Sequence, residues 1–310
     1  MFVAIFKKIT KFFIIKLGEI GFKSKIKYYG LKILVPWNHP FFFWRFSKIY
    51  NRNLVRIAKQ INQKYYIIDV GASIGDTYAL LRGQKVFSKI FLIEGGSKAN
   101  YFLEKNTKND ENASIYNGLV GPNLEISYEE SSQSGITFIN NKKENSSFNE
   151  LKTLDEVIKN NISRKSKVGL IKIDTDGFDS QIIRSAKETL IEHKPIIFFE
   201  AQPYHWLNND DISDFLNWIY QISYKKAILW DNYGNFIMPT STISNELKYS
   251  LSYFHGSPNS CFTDIALFHE NDENLFESTL TIEKQFYINN LSNKVKGFPI
   301  KKLKNLFNLK

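Results

Sequence analysis

The sequence predicts an α/β protein built on a mostly parallel sheet, and three features of the chain support this. From residue 65 onward, short apolar runs alternate with amphipathic stretches, which is the pattern of strands joined by crossover helices. The run at residues 65–70 leads into a glycine-containing turn, and the run at residues 89–94 ends in an acid. A third run, at residues 168–173, is followed by several acids. Polar groups where buried strands end indicate a ligand crevice at the carboxyl edge of the sheet.

The turn after the first of these strands has the features of a ligand-binding loop. Gly71 and Gly75 lie four residues apart, and Asp76 and Thr77 open the helix that follows. Glycine adopts backbone angles that other residues avoid, and the first N–H groups of a helix are free to face a ligand. Glu94 follows Gly75 by 19 residues, where a doubly wound sheet places the acid that binds ribose hydroxyls. These features predict a nucleoside-binding half-site, with a plain βαβ turn as the alternative.

The spacing of the glycines bears on which nucleoside is bound. Dinucleotide sites carry G-x-G-x-x-G because their backbone lies against a pyrophosphate. Here the spacing is Gly71-x-x-x-Gly75, and Asp69 precedes it. This arrangement looks like the S-adenosylmethionine loop of class I methyltransferases, whose ligand has an amino-acid tail in place of a pyrophosphate.

The positive charge of the chain is concentrated at its two ends. The net charge is +10, of which residues 1–32 carry +7 and residues 294–310 carry +6, so residues 33–293 carry −3. This distribution favours termini that touch an anionic surface and disfavours a basic catalytic groove, so no nucleic-acid partner is expected. The one cysteine, Cys261, excludes an intramolecular disulfide and fits a reducing compartment. A cytoplasmic protein, peripheral on the cytoplasmic face of a membrane, is consistent with both observations.

The first twenty residues predict an amphipathic helix. Their apolar runs, residues 1–6 and 12–15, are too short for a membrane span. Two interpretations stay open: the helix lies in an anionic membrane interface, or it packs on the core with its lysines in solvent. Residues 36–50 are dense in aromatics and either cap the sheet or line a substrate mouth. On a helical wheel, one face of the helix carries Phe2, Ile5, Phe6, Ile9, Phe13, Leu17 and Ile20.

Two later strands supply candidate catalytic groups. The strand at residues 168–173 delivers Asp174 and Asp176 to the carboxyl edge of the sheet, where a solvated turn is the alternative interpretation. The strand at residues 194–200 is followed by His205, which is a second candidate base unless it is structural. Thr153 and Glu156 have the spacing of a capping box and predict a helix start.

Five stretches, residues 69–76, 92–94, 153–155, 171–177 and 194–200, together resemble the FkbM-type methyltransferases. The resemblance covers about residues 65–270. It implies a class I methyltransferase (Rossmann-like) fold, with a mostly parallel seven-stranded sheet flanked by helices and, in this chain, an N-terminal helical extension. It also implies methyl transfer from S-adenosylmethionine to a hydroxyl of a sugar, glycan, glycolipid or related metabolite.

The resemblance also implies how the chain is divided into domains and which residues form its site. We expect a basic, amphipathic and aromatic extension at residues 1–60, a methyltransferase domain at residues 61–280 and a basic tail at residues 281–310. Catalysis is assigned to Asp174, Asp176 or His205, and the two aspartates would also suit Mg²⁺. The cofactor-binding residues are expected to be Asp69, Gly71, Ala72, Gly75, Asp76, Thr77, Glu94, Asn117 and Asp174.

The chain departs from the family pattern in two places, and other functions stay open. Two glycines follow Glu94, and Asp176 stands where glutamate is more usual, which leaves the reach of a catalytic carboxylate undecided. A nucleic-acid amine methyltransferase would carry Asn/Asp-Pro-Pro-Tyr/Phe after the fourth strand, where this chain reads Asp-Thr-Asp-Gly. The remaining alternatives are an amine or protein side-chain acceptor, and a non-catalytic membrane-associated module that binds S-adenosylmethionine.

Overall fold

The computed structural model describes residues 2–44, 51–122, 125–126, 128–133, 136–141, 149–175, 177–201, 212–256, 262–294 and 304–305. The helices are α1 Phe2–Glu19, α2 Phe41–Trp44, α3 Arg52–Ala58, α4 Asp76–Gly83, α5 Ser97–Thr107, α6 Leu154–Asn161, α7 Asp179–Arg184, α8 Lys187–His193, α9 Ile212–Gln221, α10 Asn245–Gly256 and α11 Glu273–Lys294. The strands are β1 Lys23–Tyr28, β2 Leu31–Pro36, β3 Tyr66–Val70, β4 Ile90–Glu94, β5 Ala113–Asn117, β6 Glu125–Ile126, β7 Tyr128–Gln133, β8 Ile136–Asn141, β9 Asn149–Glu150, β10 Val168–Ile173, β11 Ile196–Ala201, β12 Tyr224–Asp231, β13 Phe236–Ser241 and β14 Thr263–His269.

The central sheet has eight strands in the order β13-β12-β14-β11-β10-β3-β4-β5. Strands β5, β4, β3, β10 and β11 are parallel, and β14 runs antiparallel to both β11 and β12. This confirms the mostly parallel sheet flanked by helices. The sequence predicted seven strands, and the eighth is β13, which pairs antiparallel with β12. Pro239 lies inside β13, and proline is tolerated there because β13 is an edge strand, but it weakens the sequence signal for a strand.

Side chains on the two faces of the sheet enter two separate cores, because successive residues of a strand point to opposite faces. On one face, Ile67 of β3 and Leu170 of β10 belong to a core that also contains residues of α3, α4 and α11. On the other, Ile68 and Ile171 pack with residues of α6 to α10. Ala72 and Ile74, which lie in the site described below, belong to the first core.

The N-terminal residues are part of the first core. The expected helix is present as α1, but it is followed by a hairpin, β1–β2, that the sequence did not predict. Ile33, Val35 and Phe41 are buried in the same core as the strands of the main sheet. Residues 22–44, which we call the N-terminal segment, therefore complete one face of the central sheet.

The family-like stretch at residues 153–155 has a structural explanation. Thr153 Oγ1 accepts a hydrogen bond from the Glu156 N–H at 3.1 Å, and Glu156 Oε2 accepts one from the Thr153 N–H at 2.9 Å. The predicted capping box is thus confirmed. Asp155 accepts hydrogen bonds from the N–H groups of Glu188 and Thr189, both at 2.8 Å, and so caps the start of α8.

The far end of the chain is also tied to this face of the sheet. The buried Glu283 of α11 accepts hydrogen bonds from Arg56 through both carboxylate oxygens at 2.6 Å, and from Trp230 Nε1 at 2.8 Å. These bonds fasten α11 to α3 and β12. Helix α11 therefore continues the packed structure beyond residue 280, with Glu283 and Ile288 buried.

Candidate active site

The turn between β3 and α4, residues 71–75, forms what we call the glycine loop. Its backbone is left-handed at three positions, with φ of 76° at Gly71, 49° at Ser73 and 85° at Gly75. A Cβ added at Gly71 would lie 2.0 Å from the carbonyl oxygen of Asp174. Only glycine fits there, so the loop lies directly against the carboxyl end of β10.

Glu94, at the end of β4, closes the other side of the glycine loop. Its Oε2 accepts a hydrogen bond from the Ser73 N–H at 2.7 Å, and its Oε1 accepts one from the Gly96 N–H at 2.6 Å. The side chain is only 8% exposed. Burial raises the pKa of Glu94, and the two N–H groups oppose that rise. The acid predicted from its spacing and the loop thus form one structural unit.

A buried lysine joins the loop to β10. Lys172 lies next to Asp69 in the register of β10 and β3, and its Nζ is 3.0 Å from Asp69 Oδ1 and 3.3 Å from Asp174 Oδ2. It also donates a hydrogen bond to the Gly71 carbonyl at 3.3 Å. Burial would lower the pKa of Lys172, but Asp69 and Asp174 outweigh it and hold that pKa above its usual value. Burial raises the pKa of Asp69 to about 6, against the opposing effect of Lys172.

The expected cofactor-binding residues in this region differ in whether their side chain or only their main chain can reach a ligand. The side chain of Asp69 is fully buried and reaches Lys172 rather than open space, whereas that of Asp174 is 33% exposed. Ala72 and Thr77 are buried, which leaves their main chain as the part that can face a ligand. Asp76 begins α4, and burial, with a smaller contribution from Asp174, raises its pKa to about 6.

Asn117 ends β5, and its partner is a residue that the sequence analysis missed. Asn100 of α5 is buried and donates hydrogen bonds from Nδ2 to Asn117 Oδ1 at 2.8 Å and to the Glu94 carbonyl at 2.7 Å. It therefore fixes the ends of β4 and β5 relative to each other. An asparagine inside a predicted helix gives no sequence signal for such a role.

Two further acids near the site were not expected to take part in it. Asp264 of β14 is buried, accepts a hydrogen bond from Asn53 Nδ2 at 3.0 Å, and has its pKa raised to about 7 by burial. Asp179 begins α7 and accepts hydrogen bonds from the N–H groups of Gly177 at 3.2 Å and Thr175 at 3.4 Å. Burial raises the pKa of Asp179 to about 7, and its bonds shape the turn that follows Asp174.

Asp176 and His205 lie outside the described residues, so their placement stays a prediction. Within the described ranges there is no group of three or more His, Cys, Asp or Glu residues arranged to hold a metal ion. The helices in those ranges include none that is long and apolar enough to cross a membrane.

Comparison with known proteins identifies the family. The family model for the Methyltransferase FkbM domain matches residues 69–226, just over half of the 310 residues. The chain belongs to the FkbM methyltransferase family. The match begins at Asp69 and spans the glycine loop, Glu94, Lys172 and Asp174, so the site lies inside the FkbM domain. No curated protein matches the chain.

Solved structures of methyltransferases are similar to this FkbM protein only at low identity. Methyltransferase FkbM from Methylobacillus flagellatus KT has 15% identity and a TM-score of 0.42, and the alignment covers 79% of this chain and 48% of that one. The chain therefore spans about half the length of that relative. Precorrin-6y C5,15-methyltransferase from Geobacter metallireducens GS-15 has 10% identity, a TM-score of 0.38, and coverage of 72% and 91%. An rRNA methylase from Streptococcus thermophilus has 9% identity, a TM-score of 0.37, and coverage of 69% and 93%. The family assignment rests on the domain match.

We predict that Lys172→Met lowers the free energy of unfolding by about 3–5 kcal/mol at pH 8, because it leaves buried carboxylates without their cation. The loss should be smaller at pH 5.5. A carboxyl whose pKa is raised in the folded state, as Asp69's is to about 6, contributes stability at low pH that is lost as the pH rises through that value. Urea unfolding at the two pH values measures both effects.

Two variants test this reading of Lys172. Lys172→Met/Asp69→Asn removes charge from both sides of the pair and should recover part of the loss. Lys226→Met is the matched control, because Lys226 forms an exposed ion pair with Glu273, and its loss should cost at most about 1 kcal/mol. A Lys172→Met protein that is no less stable than Lys226→Met would contradict the role given to Lys172.

Proposed function

We propose that this protein transfers a methyl group from S-adenosylmethionine to a hydroxyl group of a sugar-containing acceptor. One observation carries the cofactor half of this proposal: the contact between the Ser73 N–H and Glu94 Oε2 at 2.7 Å. It joins the glycine loop and the strand-ending acid, 21 residues apart, into one site at the carboxyl edge of a parallel sheet. The family match supports the same activity.

The charge of the crevice favours this cofactor over a dinucleotide. The described residues place the carboxyl groups of Asp69, Asp76, Glu94 and Asp174 around the loop, with Lys172 as the neighbouring cation. Such a site repels a pyrophosphate. S-Adenosylmethionine carries a positively charged sulfur and an amino group in addition to its carboxylate, so an excess of carboxyl groups attracts it.

The residues present fit the cofactor through their main chain and two carboxyl groups. Glu94 uses one acceptor position on each oxygen for Ser73 and Gly96, and each carboxylate oxygen can accept a further hydrogen bond from a ribose hydroxyl. Gly71 provides close access to the backbone beside Asp174. Asn117, held by Asn100, lies at the neighbouring strand end, where the adenine ring is expected.

Asp174 is the described residue best placed for chemistry. It follows the last residue of β10, its side chain is partly exposed, and Lys172 orients it from the buried side. The cofactor supplies an activated methyl group. The protein must hold the acceptor oxygen in line with that methyl group and accept the hydroxyl proton as the new C–O bond forms. We assign the positioning of the hydroxyl and the acceptance of its proton to Asp174, with Asp176 and His205 as the alternatives and Mg²⁺ as a further candidate partner of the two aspartates.

We also propose that the acceptor is presented at an anionic membrane surface, as a glycolipid would be. The packing alternative for α1 does not account for Phe12 and Phe13, which are 57% and 61% exposed. Lys16 Nζ lies 5.9 Å from the centre of the Phe12 ring. The charge of the lysines exposed on α1 and β1 is complementary to anionic lipid headgroups, and these are Lys11, Lys16, Lys23, Lys25 and Lys27. This would place the protein on the cytoplasmic face of the membrane.

Contacts connect this surface to the crevice. Gly18 of α1 lies against Asn38, and Lys11 Nζ lies 5.2 Å from the centre of the Phe43 ring. His39, one residue after Asn38, is in contact with Ser73 of the glycine loop. Helix α1 is therefore connected to the glycine loop through Asn38 and His39 of the N-terminal segment.

We predict that Glu94→Gln removes discrimination between ribose and deoxyribose ligands. Wild-type protein should bind S-adenosylhomocysteine more tightly than its 2′,3′-dideoxy analogue by roughly 1.5–3 kcal/mol, the range for hydrogen bonds to a charged group. The difference should largely vanish in Glu94→Gln. Isothermal titration with both ligands separates this effect from a general weakening of the loop, which would lower both affinities equally. Equal discrimination in the two proteins would remove Glu94 from the ribose site.

We predict that Asp174→Asn keeps cofactor binding but lowers turnover by about 10²–10⁴-fold, the usual contribution of a positioned base. Turnover is measured as transfer of a labelled methyl group into a glycan and glycolipid extract. Asp214→Asn on the exposed side of α9 is the control and should be unaffected. A rate close to that of wild type would move the role to His205 or Asp176, and activity that is lost with chelator and restored by magnesium would favour the metal.

We predict that the protein sediments with vesicles of phosphatidylcholine and phosphatidylglycerol at low salt, and less so at high salt because the lysine contribution is screened. Phe12→Glu/Phe13→Glu should weaken this partitioning at least about tenfold, since the apolar contact supplies part of the binding. Tyr249→Glu/Tyr253→Glu is the matched control, because these tyrosines of α10 are 73% and 72% exposed and the charge change is equal. If wild type stays in the supernatant, or if both variants lose binding equally, the membrane proposal is wrong.

A further inference from the structure

Hydrogen bonds connect the N-terminal segment to two consecutive residues of the glycine loop, Ser73 and Ile74. His39 contacts Ser73, with 3.0 Å between Nε2 and Oγ. Asn106 of α5 bonds Leu34 of β2 on one side and the Ile74 carbonyl on the other. His39 and Asn106 both bond residues of the five-residue loop, although each lies more than thirty residues from its loop partner in sequence. Burial of the apolar side chains of the N-terminal segment would not by itself require these hydrogen bonds to the loop.

The tautomer of His39 follows from its two contacts. The Phe41 N–H donates to Nδ1 at 3.2 Å, so Nδ1 carries no proton and Nε2 carries the hydrogen that is donated to Ser73 Oγ. His39 is only 4% exposed, and burial lowers its pKa to about 4. The neutral ring therefore keeps this donor at neutral pH.

Asn106 connects β2 to the glycine loop through both the oxygen and the nitrogen of its side-chain amide. Its Oδ1 accepts from the Leu34 N–H at 2.6 Å, and its Nδ2 donates to the carbonyls of Leu34 at 3.0 Å and Ile74 at 2.8 Å. The side chain thus pairs with the free edge of β2 and holds the loop at the same time. These bonds connect the hairpin, α5 and the loop to one another.

Ser73 needs such support because its backbone is unfavourable. It is not glycine, yet it has a φ of 49°, and a left-handed residue of this kind costs roughly 1–2 kcal/mol. Its side chain is held by His39 and its N–H by Glu94, so two neighbours from different parts of the chain maintain this conformation.

We infer that His39 is a positioning residue for the cofactor: through Ser73, the N-terminal segment keeps the glycine loop in its ligand-ready conformation. This inference rests on the proposed binding of S-adenosylmethionine at the loop. A loop that is held in place before binding has less conformational freedom to lose, so its ligand binds more tightly. The N-terminal segment then belongs to the cofactor site as well as to the core.

Isothermal titration of the full-length protein with S-adenosylhomocysteine tests this inference. His39→Ala should bind about three- to tenfold more weakly, the change expected for the loss of one net hydrogen bond. His39→Gln can again present a donor to Ser73 Oγ and should recover binding to within about twofold of wild type. A purely structural role for His39 would lower thermal stability without this recovery of affinity.

A second buried histidine offers a matched control. His269 is 6% exposed, and its Nδ1 accepts the N–H of Asn271 at 3.1 Å, just as His39 accepts the N–H of Phe41. It ends β14, which runs antiparallel to β11, and so lies at the opposite edge of the sheet from the crevice. His269→Ala should lower stability but leave the dissociation constant within about twofold of wild type.

Ser73→Ala keeps the test decisive if His39→Ala fails to fold. It removes the acceptor of the same hydrogen bond and should weaken binding as much as His39→Ala does. The double variant should bind no more weakly than either single variant, because the two changes remove one shared interaction. An affinity for Ser73→Ala and His39→Ala close to that of wild type, or an equal loss in His269→Ala, overturns the inference. Absence of binding in the wild-type protein instead overturns the proposed function itself, and the inference with it.

Discussion

The carboxyl edge of the sheet depends on the buried ammonium group of Lys172. Burying a carboxylate is costly unless a cation or hydrogen-bond donors accompany it, and several acids converge at this edge. Lys172 contacts Asp69 on β3, the Gly71 carbonyl in the loop and Asp174 after β10. One side chain thus sets the distance between the strand that carries the loop and the strand that carries the candidate catalytic acid.

The remaining electrostatics of the site follow from this pairing. Because Lys172 compensates only part of the carboxyl charge, the pKa values of Asp69 and Asp76 are raised to about 6 by burial. The carboxyl edge of the sheet keeps an excess of acidic groups, whose mutual repulsion a cationic ligand would reduce. Under the proposed function, these same buried acids, which are costly to fold, would favour a positively charged cofactor.

The N-terminal segment covers one face of the sheet and also contacts the glycine loop. Val35 and Phe41 fill the core above the strands, while His39 and the partner of Leu34, Asn106, reach the glycine loop. The helix that precedes the segment carries exposed aromatic residues beside a group of lysines. The packing of this face, the proposed positioning of the cofactor and the proposed membrane contact thus involve one continuous stretch of chain.

The sequence alone determined the elements whose signals are local. The positions of the glycine loop, Glu94, Asp174 and the capping box at Thr153 could be predicted, because strand ends, backbone angles and helix starts depend on neighbouring residues. The alternation of strands and helices likewise predicted the parallel sheet. The eighth strand was not predicted because Pro239 weakens the sequence signal for a strand. Proline is tolerated there because β13 is an edge strand.

Only the tertiary structure decided which distant groups meet. The sequence treated residues 1–60 as an extension, and nothing near His39 indicates that it would contact Ser73. The pairing of Lys172 with Asp69 depends on the register of two strands about a hundred residues apart, and the contacts of Asn106 depend on how α5 packs. Such contacts are set by the closure of the whole core, because they require elements that local propensity cannot place relative to one another.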